Sequence, residues 1–260
     1  MSTLSARDVG VRLSGRWIID GVDAEVTPGE LLVVLGPNGA GKSTLLAALA
    51  GDRPVDRGRV DLDGEDLNAM PLREIAARRA VVGPPAPLAF DFTVRDVVAM
   101  GWRSGERYGK QAEAAALDAV LDECSLVALA DRIYMTLSSG ERQRAQFARG
   151  LLQIWRPPGD TSPRWLLLDE PTSNLDIAHS IGLLASLRKQ ARDGIGVLAI
   201  VHDLDLGARF ADRVILLADG RIAAAGEPDD VFTSNLLSDV YGTPVHVEYH
   251  AGVDRLVVLT

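Results

Sequence analysis

Short runs of apolar residues, uninterrupted by polar positions, recur along this chain and are separated by stretches with helical spacing. The clearest runs cover residues 31–35, 165–168, 196–201 and 213–217, the last of which begins with Arg213, and they are rich in Val, Ile and Leu. A strand that is apolar at every position is buried on both faces, as are the strands of a parallel sheet covered by helices. The pattern therefore predicts an α/β core built on a parallel sheet.

Other stretches carry different patterns. Residues 5–12 and 21–26 alternate between apolar and polar positions, which predicts antiparallel edge strands near the N-terminus. Residues 94–129 are rich in alanine, with apolar side chains at helical spacing, and they indicate a helical subdomain inserted into the core. The predicted division is an α/β core in residues 1–85 and 159–235, a helical subdomain in residues 86–158, and a C-terminal extension in residues 236–260 that ends in short strands.

The composition excludes some classes of protein. Of the 260 residues, 27 are Lys or Arg and 36 are Asp or Glu, so the net charge of -9 disfavours a dedicated nucleic-acid-binding protein. The single cysteine, Cys124, rules out an internal disulfide and is expected to be buried in a helix. There is no charged and apolar leader, and no apolar run approaches the roughly 18–20 residues that cross a bilayer. We therefore expect the protein to act from the cytosol.

A glycine-rich segment follows the first apolar run directly. It reads Gly-Pro-Asn-Gly-Ala-Gly-Lys-Ser-Thr and fits the spacing G-x-x-x-x-G-K-[ST] of a phosphate-binding loop. Glycines let backbone N–H groups turn inward around a polyphosphate, and the helix that follows adds its positive dipole end. Lys42 is expected to reach the β- and γ-phosphates, and the Ser43 hydroxyl to bind Mg²⁺. The residues predicted to hold the nucleotide are Gly36, Pro37, Asn38, Gly39, Ala40, Gly41, Lys42, Ser43 and Thr44.

Two adjacent acidic residues, Asp169 and Glu170, follow the apolar run at residues 165–168. A buried strand that ends in two carboxylates places them at the carboxyl edge of a parallel sheet, beside a phosphate-binding loop on the same edge. Asp169 is expected to bind Mg²⁺, and Glu170 to polarise the attacking water as a general base. Structural capping is the alternative interpretation of such a pair, and the glycine-rich loop favours the catalytic one.

A third segment, Leu-Ser-Ser-Gly-Glu at residues 137–141, opens an amphipathic helix. Ser138 is a favourable N-cap residue, so one interpretation is a capped helix with a charged first turn. The other interpretation is a second anion site, in which the N–H groups and hydroxyls of Ser138, Ser139, Gly140 and Glu141 face a γ-phosphate.

These three segments and their order resemble the ATPase subunits of ABC transporters, over nearly the whole chain. The resemblance implies a P-loop NTPase core, ATP and Mg²⁺ as ligands, and a head-to-tail homodimer in which residues 137–141 complete the nucleotide site of the second copy. Residues 173–176 resemble the loop that crosses the dimer interface, so Asp176 is expected to contribute to the nucleotide site. His202 resembles the switch histidine that contacts the γ-phosphate and is therefore expected to be catalytic. Ser139 stands where the family usually has glycine, a change that a small residue should tolerate.

Two positions depart from the pattern of that family. A glutamine that senses Mg²⁺ and water usually joins the core to the helical subdomain, whereas alignment of residues 79–82 places Pro84 there. Proline has a fixed φ and no polar side-chain group, which puts the coupling to transport in question but not nucleotide binding. The family also stacks adenine on an aromatic side chain. Leu13 occupies that position, with Trp17 close by as a core residue or as a substitute platform.

Two further stretches resemble particular groups within that family. Residues 90–98 resemble the permease-binding segment in importers of iron-siderophores, haem and vitamin B12, and their apolar residues also suit an ordinary subdomain core. Residues 153–164, which are rich in turn-forming residues, resemble an insertion of the haem (hemin) importer ATPases. The resemblance implies haem uptake through a separate integral membrane permease, with a periplasmic substrate-binding protein as an indirect partner. It also implies a location at the cytoplasmic face of the bacterial inner membrane.

Other functions stand as alternatives. The cargo is an iron-siderophore or vitamin B12 in one of them. In another the chain is a nucleotide-gated ABC protein with weak turnover, because Pro84 replaces the usual glutamine. A soluble ABC ATPase of translation or DNA repair is a third. It is disfavoured because such proteins usually carry two ATPase modules, basic arms or long coiled coils, and none of these is visible in this acidic sequence.

Overall fold

The computed structural model describes residues 2–84, 88–103, 105–173 and 175–259, and for residues 105–107 it describes the backbone only. The strands are β1 (Leu4–Leu13), β2 (Arg16–Val26), β3 (Leu31–Leu35), β4 (Arg57–Leu62), β5 (Glu65–Asp66), β6 (Arg79–Val82), β7 (Arg164–Leu168), β8 (Ile195–Ile200), β9 (Arg213–Ala218), β10 (Arg221–Gly226), β11 (His246–His250) and β12 (Arg255–Leu259). The helices are α1 (Lys42–Leu49), α2 (Leu72–Arg78), α3 (Val94–Ala99), α4 (Gly105–Glu123), α5 (Ser139–Gln153), α6 (Ile177–Arg192), α7 (Leu204–Phe210), α8 (Pro228–Val231) and α9 (Ser234–Tyr241). Short 3-10 turns cover Leu67–Ala69, Val127–Leu129 and Tyr134–Thr136.

The central sheet has the strand order β10-β9-β3-β8-β7-β6 among the described residues. Neighbouring strands are parallel except at the edge, where β10 runs antiparallel to β9. The predicted parallel core is therefore confirmed, and β6 and β10 join it without having been predicted as strands. Because β3 lies between β9 and β8, the segment that follows β3 leaves from the middle of the carboxyl edge of the sheet.

The N-terminal half also contributes a second sheet, antiparallel throughout, in the order β2-β1-β4-β5. The predicted antiparallel strands are confirmed, but the prediction that both lie at an edge is wrong for β1, which pairs with β2 on one side and β4 on the other. Alternation of apolar and polar residues indicates that one face of a strand is exposed to solvent. It carries no information on how many of the strand's sides are hydrogen-bonded, and the partner β4 comes much later in the chain.

Alternate residues of β3 enter two hydrophobic cores on opposite faces of the central sheet. Leu32 and Val34 pack with the antiparallel sheet and α1. Leu31, Val33 and Leu35 pack on the other face, in the core that includes α5, α6 and α7. Successive side chains of a strand point to opposite faces, so a strand between two layers must be apolar at every position. This is why the apolar runs in the sequence marked the central strands.

The helical subdomain consists of α3, α4, the 3-10 turns that follow α4, and α5, which confirms the helical pattern of residues 94–129. Helix α3 begins at a capping box in which Thr93 and Asp96 bond each other's backbone N–H groups. Cys124 is buried, as predicted, but the prediction that it lies in a helix is wrong, because α4 ends at Glu123 and Cys124 is in the turn that follows. Burial raises the pKa of its thiol to about 12. The predicted boundary between core and subdomain, at residues 85 and 86, lies outside the described residues.

Residues 153–164 connect the helical subdomain to the core by side-chain contacts. The ring of Trp155 lies 5.7 Å from that of Trp102 and 5.7 Å from that of Tyr108. The Tyr108 hydroxyl donates a 2.7 Å hydrogen bond to Asp160. On the side of the core, Arg156 donates to the Asp193 carbonyl oxygen at 2.9 Å. The stretch is therefore a structured link rather than an open loop.

The C-terminal extension contains most of helix α9 in addition to the predicted short strands. Helix α9 precedes a hairpin formed by β11 and β12, and β12 packs against α7. An isolated two-stranded hairpin is marginally stable in water, so this packing stabilises it. Within the part of the chain that the structure describes, no helix combines the length and the hydropathy needed to span a bilayer.

Candidate nucleotide-binding and catalytic site

The segment between β3 and α1 folds tightly over the carboxyl edge of the central sheet. Gly36 has a φ of 144° and Gly41 a φ of 102°, both in a region that favours glycine. A Cβ atom on Gly36 would lie 2.0 Å from the Leu217 carbonyl oxygen, and one on Gly41 would lie 2.6 Å from Cγ2 of Ile19. The loop therefore excludes side chains at these two positions, because its backbone packs directly against β9 and β2.

Lys42, the first residue of α1, is buried and points back into the loop. Its ammonium donates hydrogen bonds to the carbonyl oxygens of Gly36 at 2.7 Å and Pro37 at 2.9 Å. Burial lowers the pKa of Lys42, and the nearby carboxylates of Glu170 and Asp169 act in the opposite direction. An ammonium has three donors, so these two bonds hold the lysine in the loop and leave one donor for a ligand.

Ser43 and Asp169 lie together between α1 and the end of β7. The Ser43 hydroxyl donates to Oδ1 of Asp169 at 3.1 Å, and the backbone N–H of Asp169 donates to the Val82 carbonyl oxygen at 2.9 Å. Burial raises the pKa of Asp169, whereas the Ser43 hydrogen bond lowers it. Hydroxyl and carboxylate oxygens are ligands that Mg²⁺ prefers. The donor set therefore fits a Mg²⁺ ion beside the phosphate loop.

The side chains of Glu170 and His202 contact each other at the carboxyl edge of the central sheet. Nε2 of His202 lies 2.7 Å from Oε1 of Glu170, and both side chains are partly exposed. Glu170 has a φ of 50°, an uncommon conformation for a residue with a side chain. Its carbonyl oxygen accepts hydrogen bonds from the N–H and the hydroxyl of Ser173, at 3.1 Å and 2.8 Å, which hold that turn.

The strand order explains why these residues meet. Strand β8, which precedes His202, lies between β3, which precedes the loop, and β7, which precedes the two acids. Parallel strands end at the same edge of a sheet, so Lys42, Ser43, Asp169, Glu170 and His202 converge there. The sequence predicted the common edge, but it did not predict the contact between His202 and Glu170.

The turn that opens α5 is capped by its own side chains. The Glu141 N–H donates to Oγ of Ser138 at 3.2 Å, and the Ser138 N–H donates to Oε2 of Glu141 at 2.7 Å. Ser138 is the N-cap, as predicted, and the pair forms a capping box that the spacing S-x-x-E could have indicated. A Cβ atom on Gly140 would lie 3.3 Å from Cδ2 of Leu175, so this turn packs beside the segment that follows the two acids.

A family model described as ABC transporter matches residues 19–173, which is more than half of the chain and includes the loop, the α5 turn and both acids. This chain belongs to the ABC transporter family. Binding of ATP and its hydrolysis coupled to transport are therefore its activity, and the resemblance noted in the sequence is confirmed.

Relatives and solved structures agree with that assignment. The chain is 46% identical to the hemin import ATP-binding protein HmuV of Gloeobacter violaceus, over 95% of this chain and 90% of that protein. It is 46% identical to the HmuV protein of Rhodopseudomonas palustris, over 94% of this chain and 90% of that protein. A solved metal-chelate type ABC transporter in an inward-facing conformation matches with a TM-score of 0.81 and 25% identity, over 100% of this chain and 98% of that chain.

Asp176, expected at the dimer interface of this ABC protein, is the N-cap of α6. Its Oδ1 accepts a hydrogen bond from the His179 N–H at 2.8 Å and lies 2.8 Å from Nδ1 of the same histidine. The side chain is exposed. Asn174, in the loop predicted to cross the interface, lies outside the described residues. In the single chain Asp176 therefore caps a helix, and its role at an interface stays a prediction.

Leu13 and Trp17, the two candidates for contact with adenine, are exposed by 39% and 37%. The prediction that Trp17 is a core residue is wrong. It lies near the turn between β1 and β2, where its ring covers Gly10 and the Arg12 guanidinium stacks on it, 3.9 Å from the ring centroid. The next two residues, Ile18 and Ile19, contact the position of Gly41, so Trp17 lies close to the phosphate loop. Its use as a platform for the base stays a prediction.

Pro84 is an exposed residue in a bend just beyond the end of β6. The last residue of β6, Val82, accepts the backbone hydrogen bond of Asp169. Position 84 therefore lies only two residues from a contact with the Mg²⁺-binding candidate. This placement suits a residue at the joint between the site and the helical subdomain.

Proposed function

We propose that this ABC protein is the ATPase subunit of a haem importer. The observation that carries the proposal is the similarity to two hemin import ATP-binding proteins over at least 90% of both chains. The link at residues 153–164 supports it further, since the stretch that resembles the haem importers is a built part of this fold. Haem import is a property of those relatives, and its extension to this chain is our proposal.

We further propose that residues 36–44 bind the triphosphate of ATP. The backbone N–H groups of the loop and of the first turn of α1 surround the phosphates, and the free donor of Lys42 bonds their oxygens. Ser43 and Asp169 hold Mg²⁺, which when bound neutralises charge on the β- and γ-phosphates. The 3.1 Å contact between these two side chains supports this assignment.

Glu170 and His202 are assigned to hydrolysis. The Glu170 carboxylate orients a water molecule in line with the γ-phosphate and accepts its proton as the water attacks phosphorus. The bond from the γ-phosphorus to the bridging oxygen breaks, so that ADP leaves and inorganic phosphate forms. His202 holds Glu170 in that orientation through the 2.7 Å contact of Nε2 and reaches toward the γ-phosphate. The partial exposure of both side chains leaves room for the water and the phosphate.

A head-to-tail homodimer completes the site. In this arrangement Ser138, Ser139, Gly140 and Glu141 of the second copy present the N-terminus of α5 to the γ-phosphate. Asp176 and Ile177 lie at the interface, and the 79% exposure of Ile177, a large apolar side chain, supports their use there. Closure of the dimer on two molecules of ATP then supplies the motion that drives transport.

The helical subdomain is proposed to bind an integral membrane permease. Val94 and Val97 are buried in the subdomain core, whereas Phe90 is 72% exposed. The burial of Val94 and Val97 supports a role in the subdomain core, and the exposure of Phe90 supports contact with a partner. The protein then works at the cytoplasmic face of the bacterial inner membrane, and a periplasmic binding protein acts on it only through the permease.

Two alternative functions keep the ABC ATPase and change its cargo or its turnover. An iron-siderophore or vitamin B12 importer uses the same ATPase machinery with another permease. A nucleotide-gated protein with weak turnover is favoured by Pro84, which lacks any polar side-chain atom at the joint beside Asp169.

Affinity purification of this chain from the membranes of its own cells tests the proposal. We expect a multi-span permease to co-purify and the complex to show haem absorbance when haem is added with its binding protein. The same kind of permease without haem binding would keep the transporter and overturn the cargo. Ribosomes, DNA-repair factors or no membrane partner at all would overturn the importer.

A further inference from the structure

The C-terminal extension is attached to the helix that follows the switch histidine. Strand β12 packs along α7, and its Val258 is buried in the main core. The hairpin is also tied to α9, because the N–H groups of Val247 and Val245 donate to the hydroxyls of Ser234 and Ser238, each at 2.9 Å. The hairpin is therefore a fixed part of the domain.

One ion pair links this hairpin to α7. The guanidinium of Arg255 donates from Nη1 to Oδ1 of Asp205 at 2.7 Å and from Nη2 to Oδ2 at 3.0 Å. Both side chains are about two-thirds buried or more. A bidentate bond between a guanidinium and a carboxylate fixes direction as well as distance. Asp205 is thus held in one orientation by a residue fifty positions later in the chain.

Asp205 lies in the first turn of α7, next to the catalytic candidates. It comes three residues after His202, and Asp203 between them caps the helix by accepting the Leu206 N–H at 2.9 Å. His202 in turn contacts Glu170 at 2.7 Å. A groove of about 540 Å³ is lined by His202, Asp205 and Arg255 together, so the ion pair and the histidine share one surface.

Tyr241, the last residue of α9, lies near the start of the phosphate loop. Burial raises the pKa of its hydroxyl, and the nearby backbone of Gly36 acts in the opposite direction. The extension therefore lies close to the phosphate loop as well as to the helix that follows His202.

We propose that Arg255 is a positioning residue for ATP hydrolysis, which acts through Asp205 to fix the first turn of α7 and thereby His202 against Glu170. The inference rests on the roles proposed above for His202 and Glu170. It assigns to the hairpin a function in the chemical step, beyond its contribution to the stability of the fold.

Steady-state hydrolysis by the full-length chain tests this inference. We expect Arg255→Ala to lower kcat about tenfold, since small displacements of a catalytic group are costly. The KM for ATP and the affinity for a fluorescent ATP analogue should change less than twofold. Arg255→Lys restores one charged bond and should recover part of kcat. Arg221→Ala is the control, because it removes an ion pair in which the arginine is more exposed, to Asp20, on the edge strand β10.

A double-mutant cycle distinguishes positioning from general loss of stability. If Arg255 acts through Asp205, the double variant Arg255→Ala/Asp205→Ala should be no slower than the slower single variant. Multiplied effects, an unchanged kcat in folded Arg255→Ala, or a rise in KM alone would overturn the inference. If Arg255→Ala does not fold, Asp205→Asn and Arg255→Lys carry the same test.

Failure of this inference can be separated from failure of the proposed site. Glu170→Gln measured in parallel reports on the site itself. Loss of hydrolysis in Glu170→Gln with unchanged Arg255 variants overturns the positioning role alone. Retained hydrolysis in Glu170→Gln overturns the catalytic assignment on which that role depends.

Discussion

At the scale of single residues, the conformation of Glu170 is tied to its proposed role. A φ of 50° is unfavourable for a residue with a side chain, and the two hydrogen bonds from Ser173 hold it in place. In this conformation the Glu170 carboxylate contacts His202 at 2.7 Å. Asp169, its neighbour, is held differently, by Val82 and Ser43. Adjacent acids thus face different partners and can take different roles.

We expect Glu170→Gln to lower ATP hydrolysis by roughly 10²–10⁴-fold, because an amide cannot accept the proton of the attacking water. Nucleotide binding should be retained, so MgATP should accumulate a dimer that light scattering after gel filtration detects. Glu30→Gln is the control, since Glu30 pairs only with Arg213 at the surface among the described residues. Turnover at the rate of the unaltered chain would contradict the role of Glu170, and a monomer in MgATP would contradict the dimer.

At the scale of elements, the contact between α5 and β6 controls how closely α5 approaches the central sheet. Gly150 in α5 faces Val82, and a Cβ atom there would lie 2.6 Å from Cγ2 of the valine. Gly182 in α6 has open space at the same position. The two helical glycines therefore differ in effect. Gly150 allows α5 to pack closely against β6, whereas Gly182 makes no such contact and weakens α6.

Substitution of these two glycines should have opposite effects. We expect Gly150→Ala to lower the free energy of unfolding by about 1–3 kcal/mol, because it overpacks the contact with β6. Gly182→Ala should raise it by about 0.5–1 kcal/mol through helix propensity. Urea unfolding followed by circular dichroism measures both, and each variant is the control for the other. Shifts of the same sign would contradict this account of the packing.

At the scale of the whole molecule, polar contacts from α4 and from residues 153–164 hold the helical subdomain to the core. Glu123 at the end of α4 accepts hydrogen bonds from Lys189 at 2.9 Å and Gln190 at 2.6 Å, both on α6. Arg156 bonds the Asp193 carbonyl oxygen nearby. Pro84 lies elsewhere, in the bend after β6, two residues from Val82, which bonds Asp169 at the carboxyl edge of the central sheet. We therefore expect changes at the nucleotide to reach the subdomain through the segment that contains Pro84.

Pro84→Gln should raise ATP hydrolysis that depends on the permease, because a glutamine adds a polar side chain that can follow the Mg²⁺ site and a backbone donor that proline lacks. The measurement is hydrolysis by the complex reconstituted in lipid vesicles, with and without cargo. Pro71→Gln, at the N-cap of α2, controls for loss of a proline. No gain in the reconstituted complex would mean that position 84 does not couple hydrolysis to transport.

The sequence by itself determined the parts of this protein whose physics is local. A strand covered on both faces must be apolar throughout, so the strands β3, β7, β8 and β9 were visible as runs. A loop that wraps a polyphosphate needs glycine, lysine and serine at fixed spacing, so residues 36–44 were predicted to be such a loop without any tertiary information. The N-cap at Ser138 and the acids at the end of β7 belong to the same class.

Only the tertiary structure decided which of these local features meet. The insertion of β8 between β3 and β7 brings His202 to Glu170, and no property of either residue predicts that strand order. The prediction that Trp17 is buried in the core was wrong, because its ring stacks with Arg12 across a turn at the surface instead. The sequence contained no indication of a role for Arg255, since a single arginine in a short strand is usually exposed to solvent. Only the packing of β12 against α7 places it beside Asp205. Such contacts join distant parts of the chain, and they form only because burial of the apolar faces brings those parts together.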